Sequence, residues 1–264
     1  MSTLSACIEG VGVLGPGLPD WPTCAAVLAG TSAYRSARTV LPSPEVLPPA
    51  ERRRAGRVIK LALAIGAQAV AHAGHEARGL ASVFSSSGGD GDNCHEICAA
   101  LADSERLISP TRFHNSVHNA AAGYWSIAYG CTEASVTVCA YDASFAAGLI
   151  EALSQIAHDG CAVLLFAYDA DYPPPLHEQR PIGDAFGVSL LLGPPESPCA
   201  LANLKMELCQ RPSTRLDRPD LEALRLSIPA ARSLPLLQLL AQTRSGSVVL
   251  DYLDTTRVAV DVEI

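Results

Sequence analysis

Residues 135–149 have the sequence Ser-Val-Thr-Val-Cys-Ala-Tyr-Asp-Ala-Ser-Phe-Ala-Ala-Gly-Leu, which predicts a strand, a tight turn and a helix. Val136 and Val138 alternate with smaller side chains, as is typical of a strand, and the alanine-rich run after the turn favours a helix. Asp142 lies where this helix begins, and aspartate is one of the preferred N-cap residues. We therefore expect Asp142 to cap the helix; a surface position at the turn and a catalytic carboxylate are the alternatives.

Strand and helix patterns alternate on both sides of this segment. Predicted strands cover residues 5–14, 80–86, 134–139, 161–168, 186–192 and 201–208, with a terminal hairpin of 247–253 and 257–263. Predicted helices cover residues 21–29, 50–70, 93–102, 119–129, 143–158, 221–226 and 234–241. This alternation indicates an α/β fold in which helices cover a sheet.

The composition argues against several classes of protein. The 264 residues are 48% hydrophobic and carry a net charge of −8, from 19 basic and 27 acidic side chains. Binding to a phosphate backbone needs a positive surface, so we expect no nucleic-acid partner. The nine cysteines are scattered, and the sequence shows neither a signal peptide nor a long apolar span, which together favour a reducing cytoplasm.

Several blocks of sequence occur in the order found in β-ketoacyl synthases. They are residues 10–17 with Trp21, 28–32, 52–54 with 60–64, 109–110 with 115–123, and 184–192. Residues 5–193 therefore resemble the N-terminal half of that family. The resemblance implies a thiolase-like (ketosynthase) α/β fold, layered αβα with a mixed sheet and a truncated second half. It implies one domain over 1–264, made of an N-terminal half at 1–193 and a reduced part at 194–264 that ends in the hairpin.

The family's nucleophile is a cysteine at the turn that begins the helix after residue 139. In the register that the resemblance implies, Asp142 occupies that position. Family members also use two histidines from the second half, whereas no histidine follows Gly193 here. A cysteine at a helix N-terminus is partly ionised and forms a thioester, while aspartate is a weak nucleophile. The resemblance thus implies a subunit without catalytic residues, like the chain-length factors that pair with an active ketosynthase.

A short motif narrows the resemblance. Residues 115–127, Asn-Ser-Val-His-Asn-Ala-Ala-Ala-Gly-Tyr-Trp-Ser-Ile, are similar to the chain-length-factor-like partner subunits of bacterial aryl polyene ketosynthases. We then expect a heterodimer with an active β-ketoacyl synthase in polyketide or fatty-acid-like biosynthesis, in which this chain shapes the acyl tunnel. The interface strand is expected at 134–139. The residues expected at the tunnel or interface are Phe113, His114, Asn115, Val117, His118, Val136 and Val138.

Four arginines gather near the start of the helix predicted from residue 50. They are Arg52, Arg53, Arg54 and Arg57. Cations at the positive end of a helix are unfavourable, so an acidic partner would compensate for them. Acyl carrier proteins are acidic, and the resemblance implies that they dock near this helix, so we expect carrier-protein docking there. No cofactor and no metal ion are expected.

Other interpretations of the same residues remain open. Cys139 could be the nucleophile in a different register, although its place in a strand favours a buried, inert side chain. His114 and His118 are four residues apart and could ligate a metal if they lay on a helix, but the surrounding sequence favours a loop. A free-standing acyl hydrolase or decarboxylase could use Cys139 or Asp142 with one of these histidines. A scaffold that binds acyl carrier protein alone is the third possibility.

Overall fold

The computed structural model describes residues 3–264, which form one eight-stranded mixed sheet covered by helices on both faces. The strands are β1 Leu4–Leu14, β2 Ala81–Ser85, β3 Ser135–Val138, β4 Val163–Asp169, β5 Phe186–Gly193, β6 Ala202–Cys209, β7 Gly246–Leu250 and β8 Arg257–Glu263. The helices are α1 Trp21–Leu28, α2 Pro49–Arg54, α3 Arg57–Ala73, α4 Gly91–Ala102, α5 Pro110–His114, α6 Ala120–Tyr129, α7 Ser144–Asp159, α8 Leu176–Gln179, α9 Pro219–Ser227 and α10 Leu234–Ala241.

The strand order is β3-β2-β4-β5-β1-β6-β8-β7. The first three strands in this order run parallel, and every later neighbour is antiparallel. The C-terminal strands β6, β8 and β7 extend the same sheet beyond β1. The layered α/β arrangement with a mixed sheet is therefore confirmed, and the residues after β5 add to one sheet.

Two apolar clusters fill the two faces of the sheet. On one face α3 and α6 pack against residues such as Leu164 and Phe166 of β4. On the other face α1, α7, α9 and α10 pack against alternate residues such as Leu165. This alternation follows from the two-residue period of a strand, which points successive side chains to opposite faces. The result is three layers, helices on either side of the sheet.

One predicted helix near the site differs from the observed structure. The helix predicted from residue 50 is two helices, because Ala55 adopts an extended conformation between α2 and α3. Arg52, Arg53 and Arg54 consequently lie in the last turn of α2, at the negative end of a helix dipole, where cations are favourable. The expectation of arginines at a positive helix end was wrong for these three residues. Arg57 alone begins a helix.

Two short helices were not predicted. Residues 110–114 were expected to form a loop and instead make the single turn of helix α5, while α8 follows the proline-rich stretch at 173–175. Both are one-turn helices, too short for hydrophobic periodicity to reveal. No helix in residues 3–264 has the length and apolarity needed to cross a bilayer.

Candidate functional site

The candidate site lies where the parallel strands β2, β3 and β4 end. Ser87 follows β2, Cys139 follows β3, and Asp169 is the last residue of β4. In open α/β sheets the carboxyl ends of strands form the crevice in which ligands bind. The turn between β3 and α7 is at this edge, so the residues of the predicted corner and the buried Asp169 belong to one site.

Ser144 rather than Asp142 stabilises the start of α7. Its hydroxyl accepts a hydrogen bond from the backbone N–H of Ala140 at 3.0 Å and donates one to the carbonyl of Tyr141 at 2.8 Å. Asp142 lies in the 3₁₀ turn Tyr141–Ala143 that precedes the helix and makes no capping bond. The expectation that Asp142 caps the helix was therefore wrong, because its carboxylate has stronger partners elsewhere.

Those partners are two arginines from later parts of the chain. Arg180 Nη2 lies 2.7 Å from Asp142 Oδ1, and Arg232 Nη2 lies 3.0 Å from Oδ2. The side chain of Asp142 is 41% exposed, while those of Arg180 and Arg232 are only 17% and 18% exposed. Each carboxylate oxygen is thus bound by a largely buried cation. Asp142 is therefore engaged in ion pairs within the chain.

The ion pairs continue into the C-terminal part of the chain. Arg232 and Arg225 both contact Asp251 Oδ2, at 3.0 Å and 2.8 Å, and Arg225 also binds Glu222 at 2.8 Å. Burial raises the pKa of Asp251, but the hydrogen bond from Ser213 and the charges of Arg232 and Arg225 outweigh it and hold the pKa below its ordinary value. This network ties the turn after β3 to α9 and to the end of β7.

Tyr141 adopts an uncommon backbone conformation at the turn. Its φ of 52° lies in the left-handed region, which side chains other than glycine rarely occupy. The guanidinium carbon of Arg180 lies 3.5 Å from the centroid of its ring, in a cation–π contact. Tyr141 is nevertheless 59% exposed. One face of the ring is therefore covered by Arg180 while the rest faces outward.

Asp169 is buried, and its carboxylate links two segments of the chain that are distant in sequence. Its two oxygens accept hydrogen bonds from the backbone N–H of Ser87 at 2.8 Å and of Ala230 at 2.9 Å. Burial raises the pKa of Asp169 to about 6, although these hydrogen bonds favour the charged form. Ala230 lies in the same 3₁₀ turn as Arg232. Asp169 therefore fixes the segment that supplies Arg232 to Asp142, a role that sequence reasoning missed.

Cys139 differs from its expected surroundings. It was predicted to be a buried strand residue, but β3 ends one residue earlier and the cysteine is exposed at the sheet edge. Its thiol donates a hydrogen bond to the carbonyl of Ser87, with the sulfur 3.2 Å from the oxygen. Within residues 3–264, no hydrogen bond links Cys139 or Asp142 to His114 or His118, so the arrangement needed for a hydrolase is not brought together.

The residues predicted for the tunnel fall into two groups. Asn115, Val117 and His118 line a cavity of about 290 Å³ beside α4. Asn115 is a buried structural residue, since its side chain donates to the carbonyl of Arg54 and accepts from Tyr124. His114 packs edge-on against the ring of Tyr124.

The other predicted tunnel residues are partly or largely exposed, and Val117 is exposed although it also lines the cavity. Phe113 and Val117 are apolar and more than half exposed, at 68% and 54%. Val136 and Val138 lie half-buried on the edge strand β3. Exposed apolar side chains and an unpaired sheet edge are each typical of a surface that another chain covers.

The four predicted docking arginines are also divided. Arg52 is paired with Glu45, and Arg57 with Asp171 at 2.6 Å and Asp92 at 3.5 Å. Arg53 and Arg54 are exposed, and both line a cavity of about 390 Å³ that Arg112 also lines. Arg54 is also paired, with Glu51 at 2.9 Å, so of the four arginines only Arg53 has no ion pair among the residues that the structure describes. Sequence reasoning missed Arg112 as a neighbour of this cavity. Among the residues that the structure describes, no three His, Cys, Asp or Glu side chains converge as metal ligands.

The match of the sequence to a family model defines the class of protein. Residues 28–245 match the N-terminal domain of β-ketoacyl synthases, and the chain belongs to this family. The resemblance stated from the sequence is thereby confirmed. A search of curated protein sequences finds no match.

Solved structures with the same fold come from ketosynthase complexes. A chain of the ketosynthase (ApeO) in complex with its chain length factor (ApeC) from Xenorhabdus doucetiae has a TM-score of 0.75 at 23% identity, over 98% of this chain and 99% of that one. A chain of the ishigamide ketosynthase/chain length factor has a TM-score of 0.75 at 14% identity, over the same shares of the two chains.

A third structure has a TM-score of 0.77 at 10% identity over 99% of both chains. It is AntDE:AntF, a type II PKS acyl-carrier protein in complex with its ketosynthase bound to the hexaketide. At these identities the likenesses show a shared fold, and the ketosynthase-like fold is confirmed over nearly the whole chain.

Proposed function

We propose that this chain is a non-catalytic ketosynthase-like subunit of the chain-length-factor type, which pairs with an active β-ketoacyl synthase and shapes its acyl tunnel. The observation that carries the proposal is the turn between β3 and α7. It holds Tyr141 and Asp142 but no thiol, and the carboxylate of Asp142 is bound by Arg180 and Arg232.

The absence of a thiol at this turn matters because of the chemistry of acyl transfer. A thioester forms when a thiolate at a helix N-terminus attacks the incoming acyl group. Cys139 lies before the turn and bonds to the carbonyl of Ser87, so it does not occupy the first turn of α7. With Asp142 at the position of the nucleophile, the bend lacks sulfur. We infer that the growing chain stays on the partner.

The free edge of the sheet supports a strand-pairing partner. The backbone N–H groups of Ser82 and Ser86 donate to the carbonyls of Ala134 and Val138. The backbone groups of Ala134 and Val138 therefore face β2. Backbone groups alternate sides along a strand, so those of Ser135 and Thr137 point away from the sheet. Unpaired strand groups of this kind are a template for another chain. The family resemblance implies that this strand pairs with its counterpart across the dimer axis.

The opposite edge of the sheet is covered by a loop at Val249. Val249 of β7 donates its N–H to the Thr214 hydroxyl at 2.8 Å, and its carbonyl accepts from the Thr214 N–H at 2.8 Å. A loop therefore satisfies β7, whereas no strand of residues 3–264 other than β2 pairs with β3. The difference between the two edges favours β3 as the surface for the partner.

The structurally similar proteins suggest which kind of partner this chain binds. Two of them are described as ketosynthase and chain length factor complexes, and one as a ketosynthase with an acyl-carrier protein. We therefore infer a ketosynthase partner of a type II polyketide system. The motif at residues 115–127 supports aryl polyene biosynthesis as the pathway.

Carrier-protein docking is the second part of the proposal. Arg53 and Arg54 are exposed, and Arg112 lines the same cavity. Clustered cations attract an acidic protein over long distances and increase its association rate. Arg52 and Arg57 are less exposed than Arg53 and Arg54. Arg53 and Arg54, of which Arg54 also pairs with Glu51, are therefore the residues that would steer the carrier protein.

Co-expression tests the proposal better than mixing, since obligate partners assemble while they fold. The chain is expressed with candidate ketosynthases, and the mass of each purified complex is measured by native mass spectrometry. We expect a complex of one copy of each subunit. A chain that binds carrier protein but no ketosynthase would instead be a scaffold, and one that hydrolyses acyl thioesters alone would be a free-standing enzyme.

A further inference from the structure

The backbone of Tyr141 is strained, and the structure holds it in place from several sides. Its φ of 52° lies in the left-handed region, which is unfavourable for a residue other than glycine. The hydroxyl of Ser144 binds the carbonyl of Tyr141, and Arg180 stacks on the ring. Strained residues that are fixed in this way concentrate at functional positions, so the conformation of Tyr141 indicates a functional role.

Arg180 can hold the ring because it is itself fixed. Its Nη2 is bound to Asp142, and its side chain is 17% exposed. Asp142 is in turn bound by Arg232, which Asp251 also binds. The planar guanidinium therefore lies between a carboxylate and an aromatic face, a geometry that lysine does not reproduce. The ring of Tyr141 has a defined position although most of it is exposed.

The turn that holds Tyr141 and the other residues expected to meet an acyl chain both contact the loop that follows β2. In this loop, the carbonyl of Ser87 accepts a hydrogen bond from the thiol of Cys139, and Gly89 lies against the ring of His118. Val117, next to His118, is apolar and more than half exposed. Tyr141 is the third residue after the free edge strand β3. It is thus a rigid, mostly apolar surface at the end of the sheet edge where a partner is proposed.

We propose that Tyr141 is the residue of this subunit that meets the far end of the acyl chain growing on the partner and limits its length, with Arg180 as its positioning residue. This inference rests on the proposed function, because it needs a ketosynthase partner across β3. The ligand class is an extended apolar acyl chain, which an aromatic ring contacts through its face and edge. The phenol hydroxyl is not required for such a contact.

Four variants test the inference in the co-expressed complex. Tyr141→Gly removes the ring and suits the left-handed backbone, so the fold should be kept. Tyr141→Phe keeps the ring, and Arg180→Lys keeps the charge but loses the planar stack. Tyr252→Ala, at an aromatic residue after β7, is the control. The amount of complex is measured by native mass spectrometry and the product chain lengths by liquid chromatography with mass spectrometry.

We expect Tyr141→Gly to shift the products to longer chains, Arg180→Lys to broaden the distribution, and Tyr141→Phe and Tyr252→Ala to change nothing. An unchanged distribution for Tyr141→Gly, in a complex formed in wild-type amounts, would overturn the inference. If that variant does not assemble, Tyr141→Leu provides the same comparison with a shorter apolar side chain. If the wild-type chain forms no complex with any ketosynthase, the proposed function fails first, and the two failures are thus distinguished.

Discussion

Asp142 accepts a hydrogen bond from Arg180 at 2.7 Å, across 38 positions of sequence. The bond joins the turn that in the resemblance carries a nucleophile to the segment that follows α8. With Arg232 on the second oxygen, the carboxylate is held between two arginines of an ion network. The turn is therefore built for stability and shape, which agrees with a subunit that accepts no acyl group.

Removal of the Asp142 charge should destabilise the protein. Asp142→Asn leaves two largely buried guanidinium groups without a counter-ion, and breaking a buried pair costs several kcal/mol while an exposed pair is worth little. Since Asp142 is partly exposed, we expect a loss of about 1–3 kcal/mol in the free energy of unfolding. Urea titration followed by circular dichroism measures it.

The matched control is Asp159→Asn at the end of α7. This carboxylate is exposed and lies 3.9 Å from the exposed His158. Its replacement should change the free energy of unfolding by less than about 0.5 kcal/mol. Equal effects of the two substitutions would mean that the Arg180 and Arg232 contacts contribute nothing measurable.

Proline at Thr137 should block the partner without unfolding the chain. The N–H of Thr137 points away from β2, so proline removes no hydrogen bond within the sheet, and edge strands tolerate proline in this orientation. The missing donor is worth about 1 kcal/mol, and the ring also hinders a close strand. We expect at least about tenfold less heterodimer in co-purification with the ketosynthase.

Ser247→Pro is the control at the other edge of the sheet. Ser247 lies two residues from Val249, whose N–H also points outward, and it is exposed. Heterodimer yield should stay at the wild-type level.

The same pair of variants tests the behaviour of the chain without its partner. We expect the wild-type chain alone to self-associate in sedimentation experiments and the Thr137→Pro variant to self-associate less. A monomeric wild-type chain at high concentration would count against a surface that a partner covers.

Charge reversal at two arginines should weaken carrier-protein binding. Arg53→Glu with Arg54→Glu replaces two exposed cations by anions, and steering effects of this kind change association rates by about tenfold or more. Surface plasmon resonance on the assembled complex, at two salt concentrations, measures the rate. Arg78→Glu, at an exposed arginine outside the cavity, should have little effect. Unchanged binding by the double variant would remove carrier docking at this surface.

The buried Asp169 should give the stability a pH dependence of defined sign. Its pKa of about 6 in the folded chain exceeds the value of about 3.9 of an unfolded aspartate. The stabilising contribution of its protonated form is therefore complete below the unfolded value and is lost as the pH rises through 6. Two pKa units correspond to about 3 kcal/mol, which is the upper limit of the difference between pH 4 and pH 7.

Asp169→Asn identifies this contribution among the others. Asp251 has a lowered pKa, so its stabilising effect is present above the ordinary aspartate value and is lost at lower pH, the opposite sign. The variant should lose the decline between pH 4 and pH 7, whatever its stability at a single pH. Parallel curves of unfolding free energy against pH for the two proteins would contradict the assignment.

Much of the fold could be predicted from local sequence because local patterns determine it. Gly130 and Gly160 end helices with left-handed backbones, as expected for glycine, and Asp20 caps α1 through the N–H of Thr23. The alternation of strand and helix patterns likewise indicated the layered sheet. These features depend on residues within a few positions of each other.

The site was less predictable because its contacts are distant in sequence. Arg232 is 90 positions from Asp142, and nothing in the local pattern of either residue indicates the pair. Asp169 ends a strand whose seven residues are all buried. A carboxylate in such a strand indicates a hydrogen-bonding partner but does not show which residue that partner is. Cys139 was expected to be buried because alternation shows which residues share a face of a sheet, but not that the strand is an edge.

The central claim is that this chain takes part in acyl transfer without carrying the acyl group. The co-expressed complex is incubated with acyl carrier protein loaded with a labelled acyl thioester, quenched in acid, and separated, and the intact mass of each subunit is measured. We predict that the acyl mass is found on the ketosynthase partner alone, with this chain at its unmodified mass. A stoichiometric acyl adduct on this chain, at Cys139, Asp142 or any other residue, would contradict the claim.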